Sequence, residues 1–164
     1  MRVSFPTLAA MAGSVLLLNI GIAADAPPAR FVDQALAESM AEQCVARANS
    51  NSWPPFTIAV VDAGGALILL RRQDGASSVT AEAALLKART ATRFGAPTQA
   101  LVAMSHDAPT RDLMLLLQLT DDPGGVPVIA TGRVIGGIGV SGGTAEQDVG
   151  CANVAIAALP PEKK

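Results

Sequence analysis

His106 is the one imidazole in this chain of 164 residues, and it stands in Ser105-His106-Asp107-Ala108-Pro109, a run that reads as loop. A loop imidazole can ligate iron or change charge near neutrality, and a solvated surface histidine is the plainer alternative. Positive groups able to meet a ligand's carboxylates stand at Arg71-Arg72, a strand end, and at Lys87 and Arg89, inside a helix. Each could instead pair with Asp62, Asp74 or Asp148. A third set is backbone. Gly142-Gly143 leads into Thr144-Ala145-Glu146-Gln147, which has the form of a capping box. Amides at such a helix start favour an anion.

Other chemistries find little support. Gly137-x-Gly139-x-x-Gly142 copies the dinucleotide fingerprint, but that motif needs a βαβ unit, and only one helix and a short tail follow it here. Ser141 sits between Gly139 and Gly143 somewhat like a nucleophile elbow. His106 precedes it, however, and the hydrolase sheet is far larger, so a tight glycine turn is the better reading. Twelve basic and 14 acidic residues, four Phe, one Trp and no Tyr offer neither a basic stripe nor stacking aromatics for nucleic acid. Cys44 and Cys151, with one histidine, make a poor zinc set. In an oxidising compartment they could close a disulfide; two buried thiols are the alternative.

The elements that must position these residues follow from periodicity and punctuation. Arg2 and the apolar run from Val3 to Ile22, ending in small residues up to Ala26, read as a secretory signal peptide over residues 1–24. One domain, residues 25–164, would remain in the periplasm or outside the cell, free of the membrane after cleavage. An uncleaved anchor is the competing reading. A helix is expected from Arg30 to Ala48, where Val32, Leu36, Met40 and Cys44 recur every fourth residue. Phe56–Asp62 and Ala66–Arg72 read as a hairpin around Ala63-Gly64-Gly65. Both strands are nearly apolar on both faces, as central strands are. A helix follows over Thr80–Phe94. Residues 99–123 are hard to read: a short helix at Gln99–Met104, a loop around His106, then apolar Leu113–Leu119. That segment is the natural candidate to cover a ligand. Strands at Val126–Ala130 and Val134–Val140 precede a last helix, Ala145–Leu159. Gly136, Gly137 and Gly139 give the second of these strands no side chain, which points to close approach by another backbone or by a ligand. Hairpins outnumber crossovers, so the fold class is α+β, an antiparallel sheet flanked by helices.

Several motifs together are familiar. They are Val60-Val61-Asp62-Ala63-Gly64-Gly65, Arg72-Gln73-Asp74, Lys87-Ala88-Arg89-Thr90-Ala91, Gly124-Gly125-Val126-Pro127 and Ile135-Gly136-Gly137-Ile138-Gly139-Val140-Ser141-Gly142-Gly143-Thr144 with Gln147-Asp148. In this order they resemble the GlcG/HbpS-type haem-binding family from about Phe31 to Leu159. The resemblance implies a profilin-like domain whose first and last helices pack on one face of the sheet, with Cys44 and Cys151 on neighbouring helices. It also implies a homo-oligomer, often an octamer, with haem or a related small molecule as ligand. Secreted members handle haem or iron or sense redox state, and others occur beside genes of small-metabolite catabolism.

Two departures stand out: Gln73 replaces a common Met, and His106 matches no axial-ligand position of the family. The expectation is an exported, non-enzymatic, oligomeric haem-binding protein. Arg72, Lys87 and the amides of Gly142, Gly143 and Thr144 would meet the propionates, with His106 or Met104 on iron. The alternatives are a small-carboxylate binding protein or enzyme accessory of a periplasmic catabolic pathway, and an oligomer whose glycines serve packing alone.

Overall fold

The computed structural model describes residues 31–157 and Leu159; the expected signal peptide and the tail after Leu159 lie outside the described residues. Helix α1 (Gln34–Ser50) starts later than the periodicity predicts, because the Asp33 carboxylate accepts from the Leu36 amide at 2.8 Å and caps it there. Strands β1 (Thr57–Asp62) and β2 (Leu67–Arg72) form the expected hairpin, and helix α2 (Val79–Phe94) follows, closed by Gly95 in the left-handed region. Two short 3₁₀ turns, Thr98–Leu101 and Met104–His106, replace the expected helix over Gln99–Met104. Helix α3 (Ala108–Leu116) leads to β3 (Gly125–Ala130), β4 (Arg133–Ser141) and α4 (Ala145–Ile156).

All pairings are antiparallel and the sheet order is β2-β1-β4-β3. Alternation along β1 explains the layers. Ile58 and Val60 point to α1 and α4 and join the main core with Met40, Cys44, Ile138, Val140 and Cys151. Ala59 and Val61 point the other way, to Ala84 and Ala88 of α2. Each large aliphatic chain so buried contributes about 1.5–3 kcal/mol. The first and last helices thus share one face, and a disulfide between Cys44 and Cys151, with a Cα–Cα distance of 4.7 Å, joins them. The expectation of two central strands holds for β1 alone. β2 is an edge strand, with Leu67 and Leu70 exposed.

Two of the β4 glycines, Gly137 and Gly139, answer to the backbone of α2, whereas Gly136 is hemmed in by the Val61 carbonyl and the Val32 side chain. A Cβ on Gly139 would overlap the Ala84 carbonyl and lie 2.5 Å from the Ala88 nitrogen; one on Gly137 would lie 2.7 Å from the Ala88 oxygen. Gly125, paired with Gly139 across the ladder, meets the Lys87 carbonyl in the same way. Helix α2 therefore lies directly on a trough free of side chains.

Candidate functional site

Close contact between α2 and the sheet draws Lys87 into the interior. Its residue is 2% exposed, and a buried ammonium needs partners. Nζ lies 3.1 Å from Asp148 Oδ2, in the first turn of α4, and 2.8 Å from Asp122 Oδ2. The other oxygen of Asp148 accepts from the Gly143 amide at 3.0 Å. Burial pushes the Asp148 carboxyl above the ordinary aspartate range, while the Lys87 ammonium and the Gly143 amide pull it back. Beside this cluster the Thr98 hydroxyl donates to the Asp122 carbonyl at 2.7 Å and accepts from the Gly125 amide at 3.0 Å. The capping box is formed: Gln147 Oε1 accepts from the Thr144 amide at 2.9 Å, and Thr144 Oγ1 from the Gln147 amide at 3.3 Å.

Of the residues singled out by sequence, the structure brings Lys87, Gly143 and Thr144 together. Asp148, Asp122 and Gln147 take up their donors, so the cluster ties α2, α4 and the loop before β3 to one another. Gly142 is exposed at the end of β4. Arg72 lies elsewhere, exposed at the end of edge strand β2, where its guanidinium reaches the Ala76 carbonyl at 3.4 Å. His106 is exposed at the end of its 3₁₀ turn, two residues after the exposed Met104. Its neighbour Asp107 caps α3 and accepts from the Thr110 hydroxyl at 2.7 Å and the Thr110 amide at 3.0 Å, bonds that hold its carboxyl below the ordinary range. Among the described residues no group of three or more His, Cys, Asp or Glu is placed to hold a metal ion.

A groove of about 420 Å³ runs between α2 and α3. Glu82, Leu85, Leu86 and Arg89 form one wall, at the helical spacing of one face; Leu115, Gln118 and Leu119 form the other. Helix α3 is fastened there. Arg93 donates to the Leu117 carbonyl at 3.2 Å, and the Thr120 amide donates to Thr90 Oγ1 at 3.1 Å. Arg89 Nε donates to the Gly65 carbonyl at 3.0 Å. The remaining guanidinium nitrogens have no hydrogen-bond partner among the described residues and are open to solvent. Volume and lining are those of a small-molecule site, apolar with few polar groups. Sequence reasoning named Arg89 and suspected the 99–123 segment of covering a ligand, but helical spacing alone did not bring the two together.

A protein-family model described as "Haem degrading protein HbpS-like" matches residues 32–157, nearly all of the described chain. The chain belongs to this family. Protein GlcG of Escherichia coli strain K12 is 38% identical over 110 residues, which are 65% of this chain and 81% of GlcG. HbpS of Streptomyces reticuli, solved as a double mutant, superposes with a TM-score of 0.73 at 28% identity, covering 94% of this chain and 99% of HbpS. A PduOC:haem complex superposes with the same TM-score at 30% identity, covering 79% of this chain and 95% of that one. In this HbpS-like chain the Asp62-Ala63-Gly64-Gly65 motif is a self-capped turn. Asp62 Oδ1 accepts from the amides of Gly64 and Ala66, at 2.9 and 2.8 Å. Gln73 has a local role: its Oε1 accepts from the Phe56 amide at 3.0 Å at the entry to β1.

Proposed function

We propose that this protein binds haem in the groove between α2 and α3. The carrying observation is that groove itself, with leucine walls for a porphyrin face and the free end of Arg89 for a propionate. Membership of the HbpS-like family and the likeness to a haem complex support the reading. The donor set fits the group in part. Leu85, Leu86, Leu115 and Leu119 suit the ring and Arg89 suits a carboxylate, whereas the groove offers iron only oxygen donors, from Glu82 and Gln118. Haem bound there would supply iron-centred redox chemistry; the groove residues would hold it, orient it and keep water from the face they cover. His106, on the far side of the Asp107 cap from α3, is kept as the sequence-based candidate for iron.

The test is a haem titration of the full chain by visible absorbance, with Leu115→Glu and His106→Ala alongside. A saturable, shifted band is expected in the wild type. Leu115 is 68% exposed, so its replacement should spare the fold, yet it should weaken binding at least about tenfold by placing a charge in the apolar wall. No saturable band would sink the haem reading. A band indifferent to Leu115→Glu but lost in His106→Ala would move the site to the 3₁₀ turn.

We also propose export, with cleavage after Ala24. The disulfide between Cys44 and Cys151 supports an oxidising compartment. Protein recovered from the periplasm or medium should begin at Asp25 and show no free thiol after denaturation. An intact N-terminus with two titratable thiols would defeat the proposal.

A further inference from the structure

Taking the haem reading of the groove as its basis, we infer that Arg89 sets which tetrapyrroles the groove accepts and which way round they lie, and that the Asp62–Ala66 turn exists to aim it. Three observations meet here. First, Arg89 is half-buried at one end of the groove, and one of its three guanidinium nitrogens is committed to the Gly65 carbonyl at 3.0 Å. An arginine so tethered has lost much of its rotamer freedom, so a carboxylate meeting its other nitrogens forfeits little entropy on binding. Secondly, the Gly65 carbonyl is itself fixed. Gly65 has φ +82°, in the left-handed region, and its amide donates to the Asp62 carbonyl at 3.0 Å, while the Asp62 carboxylate holds the amides on either side. A Cβ at residue 65 would make only ordinary contact with the Arg89 stem, 3.6 Å from Cγ, so it is the left-handed backbone, not space, that a side chain there would strain.

The third observation is polarity along the groove. Glu82 lies seven residues before Arg89 on the same wall, about 10 Å along the helix axis, with Leu85 and Leu86 between, and neither charge is in an ion pair among the described residues. The groove thus has a cationic end, an apolar middle and an anionic end. A tetrapyrrole with carboxylates on one edge would lie with that edge at Arg89 and its carboxylate-free edge towards Glu82, whose charge repels the reverse orientation. Arg89 is therefore the specificity residue, and the turn is its positioning device.

Haem and its dimethyl ester, in which both propionates are capped, separate this inference from the reading beneath it. Wild-type protein, titrated with each by visible absorbance, should bind haem about 10- to 100-fold more tightly than the ester, the span of one or two charge-assisted hydrogen bonds. Arg89→Gln should remove that preference by weakening haem alone, and Gly65→Ala should reduce it while leaving Arg89 in place. Circular dichroism of each variant checks the fold. Equal wild-type affinity for haem and ester overturns the inference even if a variant fails to fold. So does an Arg89→Gln protein that keeps the preference. Saturable haem binding would in either case leave the groove reading standing, whereas no saturable binding of either compound overturns both.

Discussion

Lys87 shows how a residue chosen for ligand chemistry can be spoken for by the fold. Its ammonium sits between the Asp148 and Asp122 carboxylates, and Lys87 and Asp148 are both nearly inaccessible. Removing one member of a buried pair leaves a charge with no partner, which typically costs about 3–5 kcal/mol. Lys87→Met should therefore lose about that much in urea unfolding at neutral pH, and Lys87→Met with Asp148→Asn should recover a large part of it. Burial already raises the Asp148 carboxyl above its unfolded value, and loss of Lys87 removes the strongest opposing influence. An acid with a raised folded pKa binds more protons when folded, so its ionisation cost appears as pH rises through that window and vanishes below it. The deficit of Lys87→Met should shrink between neutral pH and about pH 4, and a deficit constant with pH would refute the account. The sequence offered Asp148 as one of three possible partners for Lys87, and the Gly143 amide as a separate anion donor; of those three pairings, the one with Asp148 forms. Only the approach of α2 to the glycine trough makes them one cluster, and that approach is a long-range property that local spacing does not encode.

At the scale of the elements, strongly patterned ones were legible and punctuated ones were not. The capping box at Thr144 and the turn at Gly64-Gly65 are local devices, so the sequence displays them in full. Helix α3 was obscured because Pro109 reads as a breaker when met inside Asp107-Ala108-Pro109, yet proline is well suited to a first helical turn behind an Asp cap. The groove was obscured with it, since α3 is its second wall. This cap carries a pH test. The Asp107 carboxyl is held below the ordinary value of 3.8 by its two bonds from Thr110. A depressed folded pKa gives stability that is present above the unfolded value and lost as pH falls through the folded one. The Thr110 amide shift, followed by NMR, should titrate with a midpoint below 3.8, and the first turn of α3 should fray only beneath it. A midpoint at or above 3.8 would mean that the cap does not form in solution.

Among the described residues, exposed large apolar side chains are scattered over several elements but are densest around α3. Leu113, Leu115 and Leu116 of α3 and its C-cap Leu117 are 53, 68, 79 and 50% exposed, and Val102 and Met104 are exposed in the segment that precedes the helix. Single exposed leucines are ordinary; four in five consecutive positions at the end of one helix are a patch of the kind that marks an interface. Leu115 alone of these lines the groove, so Leu113, Leu116 and Leu117 are left for another surface. A second copy of the chain is the expected cover, in keeping with the homo-oligomer implied by the sequence resemblance, and such a copy would also close the open side of the groove over the proposed haem. Sedimentation of the wild type should therefore report a mass above that of the monomer. Leu116→Glu touches neither the groove nor the core, and should shift the mass towards monomer while circular dichroism stays unchanged. If assembly completes the haem site, that variant should also bind haem more weakly than the wild type, although Arg89 and the groove leucines are intact. A monomeric wild type would show that the leucines face some other partner. An oligomer that survives Leu116→Glu would place the interface elsewhere, with the exposed Leu67 and Leu70 of edge strand β2 the next surface to change.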